Sequence, residues 1–255
     1  MNQTTLLSGK TILITRPLGR ETHLRHLIET ASGSVLHYPV FKIEPPSDLE
    51  IEQLSHLRDQ LGNFTMAIFV SRTAVEQSQL YFPTLPKHLS VVSIGSKTTQ
   101  ALAQQNIAID IEAPKHNTES LLQSLKLQTP DVQNQRILIF RGNGGRALLG
   151  DTLVSRGAEV RYVETYCRTI PPLASLTEQQ INTLDAITIS SNEGLNNLFN
   201  LTKNPKLLTK IPLFVPGRRA AALAKKQGFD TIITADNATD EAIISALNSY
   251  LSTIA

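Results

Sequence analysis

The stretch Thr-Ile-Leu-Ile-Thr-Arg at residues 11–16 returns as Arg-Ile-Leu-Ile-Phe-Arg at residues 136–141. Each copy is a short apolar, β-branched run, which is typical of a buried strand in a parallel sheet. Each is followed by a short loop, a segment whose apolar residues recur at helical spacing, and a glycine, Gly33 or Gly157. The chain therefore contains the same strand–loop–helix segment twice.

A second kind of segment is duplicated in the same order. Met-Ala-Ile-Phe-Val-Ser at residues 66–71 is echoed by Asp-Ala-Ile-Thr-Ile-Ser at residues 185–190, and Ser-Ile-Gly at residues 93–95 by Val-Pro-Gly at residues 215–217. The two kinds alternate along the chain, and strands alternate with helical segments throughout. This pattern predicts an α/β protein of two Rossmann-like lobes with parallel sheets.

The repeat leaves two ways of dividing the chain into lobes. The simpler division puts the halves near residues 1–128 and 135–255. However, residues 35–43 and 159–168 are both extended, contain tyrosine and valine, and can pair as a two-stranded connector. If they pair, the first and last of the four repeated segments share one lobe, and the two middle segments form the other.

Composition excludes several classes of protein. A net charge of +2 is too small to indicate nucleic acid binding, and 5% aromatic residues without tryptophan disfavour base stacking. Cys167 is the only cysteine, so neither an internal disulfide nor a cysteine-based metal site is expected. The sequence has no signal-peptide pattern at its start and no apolar run of membrane-spanning length. We therefore expect a soluble cytoplasmic protein that binds neither nucleic acid nor membrane.

The predicted strands end in residues suited to anion binding. Ligands of open α/β sheets lie outside the carboxyl ends of the strands, where helix N-termini and arginine side chains attract carboxylate or phosphate. The residues predicted to bind an anionic ligand there are Arg16, Ser71, Arg72, Gly95, Ser96, Lys97, Thr98, Arg141, Gly142, Asn143, Gly144, Arg146, Ser190, Ser191, Gly217, Arg218 and Arg219. Helix capping explains serine, threonine, asparagine and glycine equally well, but it does not require the arginines. Within the set, Ser71 is predicted to cap a helix from about Thr73, and Ser96 to cap one over residues 97–105.

The sequence predicts no metal or organic cofactor. The loop that follows the second copy, Gly142-Asn143-Gly144-Gly145, lacks the G-x-G-x-x-G order, and no P-loop motif is present. His23 and His26 fall near one helical face, where an exposed polar face accounts for them. No Ser/His/Asp ordering and no pair of catalytic carboxylates stands out.

Tyr166 is a separate candidate, because it lies in the extended segment 159–168. A phenol in a connector between lobes can donate a proton or a hydrogen bond to a ligand. The alternative is a strand tyrosine that packs against one face of a sheet.

The chain resembles the uroporphyrinogen-III synthase family. The segments that carry the resemblance span most of the chain: Ile14–Pro17, Tyr38-Pro39, Phe69–Val75, Ser93–Thr98, Leu138–Arg146, and Gly157, Val160 and Tyr166. No single motif is specific, but the ordered set over the full length is.

The resemblance implies the second division, in which the first and last of the four repeated segments share one lobe. Lobe one would be discontinuous, residues 1–38 plus 168–255; lobe two would be residues 43–163; and residues 35–43 and 159–168 would be the linkers. It also implies a cofactor-free lyase of heme biosynthesis. Its substrate would be hydroxymethylbilane, a linear tetrapyrrole that is closed to uroporphyrinogen III with loss of water and inversion of the terminal ring. Transient contact with the preceding pathway enzyme would fit this role.

The resemblance also assigns roles to individual residues. It implies that Tyr166 and Thr98 are catalytic: Tyr166 matches the tyrosine that assists departure of the hydroxyl group, and Thr98 matches a site threonine. Ser71 and Ser190 match strand-end serines. The chain departs from the pattern at Arg218-Arg219-Ala220, where no threonine is present. A non-catalytic two-lobed module for a small anionic ligand is the alternative function, and a transferase acting on a phosphorylated substrate is a weaker third.

Overall fold

The two copies of the repeated run become strands of two different sheets. Residues Thr11–Ile14 form strand β1 of a five-stranded sheet, and Arg136–Gly142 form strand β7 of a six-stranded sheet. Both strands have neighbours on either side, which fits the continuous apolar character of the two runs.

The computed structural model describes residues 6–114, 117–237 and 239–253. The chain forms two units: unit 1 comprises Met1–Lys42 and Thr169–Ala255, and unit 2 comprises Ile43–Arg168. Strands and helices are numbered in chain order through both units.

Unit 1 is built on the sheet that contains β1. Its other strands are β2 (Ser34–His37), β9 (Ala186–Thr188), β10 (Leu213–Val215) and β11 (Ile232–Thr234). The sheet order is β11-β10-β9-β1-β2, and its pairings are parallel. The described helices of this unit are α1 (Thr22–Thr30), α7 (Glu178–Asn182), α8 (Asn192–Leu201), α9 (Pro205–Leu208), α10 (Arg218–Lys226) and α11 (Asp240–Leu251).

The sheet of unit 1 has an apolar layer on each face. Ile12 and Ile14 of β1 pack with residues of α1 and α11, whereas Leu13 between them packs with residues of α8 and α10. Side chains that alternate along a strand point to opposite faces, so an uninterrupted apolar run fills both layers.

Unit 2 repeats this architecture. Its strands are β3 (Lys42–Glu44), β4 (Met66–Phe69), β5 (Ser90–Ser93), β6 (Ile111–Glu112), β7 and β8 (Glu159–Thr169). The sheet order is β3-β8-β7-β4-β5-β6, and the pairings from β8 to β6 are parallel. The described helices are α2 (Asp48–Asp59), α3 (Arg72–Ser78), α4 (Ser96–Gln104), α5 (Thr118–Leu122) and α6 (Leu148–Ser155), with 3₁₀ turns at Leu61–Asn63 and Leu125–Leu127.

The strands of unit 2 also carry two apolar layers. Phe69 of β4 and Phe140 of β7 stack on the face covered by α2, α3 and α4, with ring centroids 4.5 Å apart. Ile68 and Ile139 lie on the opposite face with residues of α5 and α6. The prediction of two α/β units with parallel sheets is confirmed.

The extended segment 35–43 is divided between two strands. Residues 34–37 form β2 beside β1, and the segment's last residues enter β3, which lies beside β8 in the sheet of unit 2. A linker role for residues 35–43 and 159–168 stays a prediction.

Within the described residues, no helix is both long and apolar enough to cross a membrane.

Candidate active site

A β-bulge in β8 decides where Tyr166 points. Arg141 pairs with Glu164, but the next residue of β7, Gly142, pairs with Tyr166, so Thr165 is an extra residue in the ladder. Without the extra residue, Tyr166 would lie on the same face as Tyr162 and Glu164, because side chains alternate along a strand. The bulge instead turns Tyr166 into the layer that contains Phe140.

Tyr166 packs tightly against the end of β7. Its residue surface is 4% exposed, and a Cβ atom added to Gly142 would lie 2.4 Å from the Cε2 atom of the Tyr166 ring. Only glycine at position 142 permits this approach. The Tyr166 hydroxyl lies 3.4 Å from the Oγ atom of Ser71, at the N-terminus of α3. The ring therefore packs as a strand tyrosine does, while the hydroxyl reaches a second candidate residue.

Ser71 also caps α3, as predicted. Its Oγ atom accepts a hydrogen bond from the Ala74 N–H at 3.1 Å. The helix begins at Arg72 rather than at about Thr73. The cap fixes the Ser71 side chain where it faces the Tyr166 hydroxyl.

Asn143 connects the glycine-rich loop, residues 142–145, to β8 through hydrogen bonds. Its side-chain Oδ1 atom accepts a hydrogen bond from the Arg168 N–H at 2.7 Å, and its own N–H donates to the Tyr166 carbonyl oxygen at 2.9 Å. The side-chain oxygen of Asn143 is thus used within the fold. Asn143 positions the residues around Tyr166.

Arg141 is the most buried of the predicted site arginines, with 9% of its surface exposed. Its Nε–H donates to the Gly142 carbonyl oxygen at 3.1 Å, and its guanidinium carbon lies 4.7 Å from the centroid of the Tyr162 ring. The nearest carboxylate recorded for it is Glu164, 3.8 Å from Nε and partly exposed. Stacking on an aromatic face is a favourable setting for a guanidinium group.

Beside Arg141 lies a cavity of about 180 Å³ within unit 2. Its lining consists of Val70, Thr118, Ile139, Arg141, Gly142, Gly144, Gly145, Arg146, Leu149, Tyr162 and Arg168. It brings together Arg141, Gly142, Gly144 and Arg146 of the predicted set and adds Arg168 and Tyr162, which the sequence analysis did not select as site residues.

Two predicted arginines of unit 2 form ion pairs at the surface. Arg146 donates to Glu119 at 2.6 Å, and Arg72 donates to Glu76 at 2.6 Å. Exposed pairs of this kind contribute about 0–1 kcal/mol, so a ligand carboxylate can displace Glu119 or Glu76 at little cost.

The turn before α4 is built differently from the prediction. Gly95, rather than Ser96, is the capping residue of α4, and the Ser96 side chain makes no capping bond. The prediction of a Ser96 cap was wrong because the helix begins one residue earlier. Ser96 and Lys97 are exposed, whereas Thr98 is buried and its N–H donates to the Gly95 carbonyl oxygen at 2.8 Å.

In unit 1, Arg16 is held by a buried acid. Its guanidinium group donates to Oδ1 of Asp240, and the Nδ1 atom of His23 lies 2.8 Å from Oδ2 of the same carboxylate. Asp240 is 3% exposed. The Nε2–H of His37 donates to the Arg16 carbonyl oxygen at 2.8 Å. The interpretation of His23 as part of a polar surface alone was therefore incomplete.

The other predicted residues of unit 1 lie at neighbouring strand ends. Ser191 caps α8 by accepting a hydrogen bond from the Gly194 N–H at 3.0 Å, and half-buried Ser190 precedes it. Gly217 precedes α10, whose first two residues, Arg218 and Arg219, are exposed.

Cys167 is not set up as a nucleophile. Burial, followed by the carboxylates of Glu50, Glu164 and Glu44, raises the pKa of its thiol. A raised pKa favours the protonated form, which is the less reactive one.

Comparison with known proteins covers nearly the whole chain. A family model described as "Uroporphyrinogen-III synthase HemD" matches residues 22–245. The uroporphyrinogen-III synthase of Escherichia coli (strain K12) is 31% identical over 92% of this chain and 99% of its own length. That of Synechococcus elongatus is 31% identical over 76% of this chain and 75% of its own.

Solved structures of two bacterial proteins share the fold. A mutant uroporphyrinogen III synthase from the extremely thermophilic bacterium Thermus thermophilus aligns with a TM-score of 0.65 and 17% identity, covering 96% of this chain and 98% of its own. Uroporphyrinogen-III synthetase from Helicobacter pylori 26695 aligns with a TM-score of 0.60 and 13% identity, covering 94% and 99%. At these identities the likeness concerns the fold alone.

Proposed function

The chain belongs to the uroporphyrinogen-III synthase family, and we propose on that premise that it converts hydroxymethylbilane to uroporphyrinogen III. The reaction closes a linear tetrapyrrole, inverts its terminal ring and releases one molecule of water. The observation that carries the proposal is the family match over residues 22–245, together with a 31% identical relative of which 99% is covered.

Tyr166 is proposed to assist the first step. The bond between the terminal methylene carbon and the hydroxyl oxygen breaks, and the oxygen leaves as water once it has gained a proton. A hydrogen bond from the Tyr166 hydroxyl would stabilise the departing oxygen. The position of that hydroxyl, 3.4 Å from the Ser71 Oγ atom, supports this role because the neighbouring serine can hold its orientation.

The cation left behind is of azafulvenium type, and the terminal pyrrole then attacks it through a substituted carbon. In the resulting spiro intermediate, the bond from that carbon to its original methylene bridge breaks. The freed bridge carbon then bonds to the unsubstituted carbon of the same pyrrole, which loses its proton, and the macrocycle closes with that ring inverted. Since the substrate itself supplies all of the bonding electrons, the enzyme mainly has to hold it folded, and positioning should dominate catalysis. Thr98, buried in the first turn of α4, is a proposed positioning group.

The substrate carboxylates are proposed to bind at the strand ends of both units. In unit 2 the groups are Ser71, Arg72, Gly95, Ser96, Lys97, Arg141, Gly142, Gly144 and Arg146; in unit 1 they are Arg16, Ser190, Ser191, Gly217, Arg218 and Arg219. Guanidinium and N–H groups at these positions suit a polycarboxylate. Residues 35–43 and 159–168 are proposed to act as linkers between the units.

Analysis of the product isomer tests the proposal. Hydroxymethylbilane is generated by the preceding pathway enzyme, with which transient contact is also proposed, and the porphyrinogens formed are oxidised and separated. The expected product is the type III isomer, whereas spontaneous closure gives the uninverted isomer. Formation of the uninverted isomer alone, at the rate seen without the protein, would overturn the proposal and favour a non-catalytic anion-binding module.

A further inference from the structure

The cavity beside Arg141 brings together cationic side chains from two segments of unit 2. Arg141 and Arg146 flank the glycine-rich loop, and Arg168 lies at the end of β8. A Cβ atom at Gly145 would lie 2.8 Å from Nη2 of Arg141 and 3.8 Å from Nη2 of Arg168. Two guanidinium groups thus approach the same point of the loop, where one anion can contact both of them.

The carboxylates that pair with Arg141 and Arg146 lie outside the lining of the cavity. Glu164 and Glu119 pair with Arg141 and Arg146, and their side chains are 40% and 51% exposed. Neither glutamate lines the cavity. An incoming anion can therefore exchange with them at the rim without breaking a buried ion pair.

The size of the cavity restricts its occupant. A volume of about 180 Å³ corresponds to about six water molecules, since each occupies about 30 Å³ of the liquid. A carboxylate on a short alkyl chain fits this space, while a linear tetrapyrrole does not. The apolar side chains of Val70, Ile139 and Leu149 in the lining suit the methylene groups of such an arm.

We propose that this cavity is a subsite for one carboxylate arm of the substrate, with Arg168 as a further binding residue. The proposal rests on the proposed function and deepens it. Arg168 is two residues beyond Tyr166, and Asn143 bonds to the main chain of both. An arm anchored here would set the position of the pyrrole that carries it relative to the Tyr166 hydroxyl.

The first test replaces Arg168. Arg168→Ala should raise the KM for hydroxymethylbilane about tenfold with kcat nearly unchanged, since the contact exists in both ground and transition states. Arg168→Lys should restore part of the affinity by returning the charge. Arg161→Ala is the matched control, because Arg161 is an exposed arginine of the same strand outside the cavity lining, and it should leave KM unchanged.

The second test fills the cavity with a tethered carboxylate. Thr118 lines the cavity and is the first residue of α5, where an acidic side chain suits the helix dipole, so Thr118→Glu should fold. Thr118→Glu should raise KM more than Thr118→Gln, which has the same length without the charge. Equal values for the two would mean that the cavity does not select anions.

Calorimetry with inorganic sulfate at constant ionic strength separates the two proposals. Sulfate should bind the wild-type protein and bind Arg168→Ala and Thr118→Glu at least tenfold more weakly. If the protein does not form type III product but sulfate binding still depends on Arg168, the proposed function fails and the anion subsite stands. If cyclisation proceeds and both KM and sulfate binding are unaffected in Arg168→Ala, the subsite is refuted alone.

Discussion

Arg16 and Arg141 end the two copies of the same repeated run, yet the fold treats them differently. Arg16 in unit 1 donates to Asp240, which is 3% exposed and also contacts His23. The guanidinium group of Arg141 in unit 2 stacks on the Tyr162 ring and lies 3.8 Å from the partly exposed carboxylate of Glu164. A buried carboxylate therefore compensates the charge of Arg16, whereas the charge of Arg141 remains available to a ligand.

The residue that follows each arginine also differs. Pro17 follows Arg16, whereas Gly142 follows Arg141 and lies under the ring of Tyr166. Duplication has thus preserved the strand and its terminal arginine, but the surroundings of the two loops have diverged. We infer that Arg16 has a structural role in unit 1 beside the binding role proposed for it, and that the proposed reacting groups and anion subsite belong to unit 2.

The largest effect should come from Arg16→Ala. This change removes the Arg16 guanidinium group from the buried Asp240 carboxylate, and breaking a buried pair typically costs about 3–5 kcal/mol of unfolding free energy. We expect about 3 kcal/mol, measured by denaturant unfolding, and a smaller loss for Arg141→Ala, whose carboxylate partner Glu164 is partly exposed. The double variant Arg16→Ala/Asp240→Ala should lose clearly less than the sum of its single changes. Equal losses for Arg16→Ala and Arg141→Ala would show that the two arginines are held alike.

Gly142→Ala should have the next largest effect. The added Cβ atom would lie 2.4 Å from the Tyr166 ring, so the ring must move, and overpacking of this kind costs about 1–3 kcal/mol. Turnover should fall as well, because the Tyr166 hydroxyl moves with its ring. Gly62→Ala is the control, since an added Cβ atom there meets nothing within 4 Å. Wild-type stability and turnover in Gly142→Ala would contradict the tight packing inferred here.

Tyr166→Phe separates the hydroxyl group from the ring. Turnover should fall roughly tenfold, at or below the low end of general acid assistance, with KM and melting temperature nearly unchanged. The melting temperature should hold because the ring keeps its packing and only one long contact, 3.4 Å to Ser71, is lost. Tyr250→Phe in unit 1 is the control for removing a phenol. Unchanged turnover would show that Tyr166 only packs, and positioning by backbone amides and Thr98 would then carry catalysis.

The strands and the arginines at their ends could be predicted because they depend on local sequence. A β-branched apolar run specifies a buried strand, and the residue that follows it must lie at the carboxyl edge of the sheet. The Arg16–Asp240 pair could not be predicted in this way, since its partners lie 224 positions apart. Thr165 gave no signal of a bulge, because threonine suits a regular strand as well as an irregular one. That bulge alone decides which face of the sheet Tyr166 occupies.

The smallest effect should be the salt dependence of binding, and it sharpens the comparison of the two arginines. Substrate carboxylates held partly by arginine should bind more weakly as salt rises, so the wild-type KM should increase a few-fold between low and high ionic strength. Arg141→Ala should flatten this dependence, because it removes a charge without a buried counterion. Arg16→Ala should flatten it less, since Asp240 already offsets the charge of Arg16 in the free protein. Measuring KM against ionic strength for the three proteins checks this order. The reverse order would place the main carboxylate contact in unit 1 and would remove the distinction between a compensated and an available arginine.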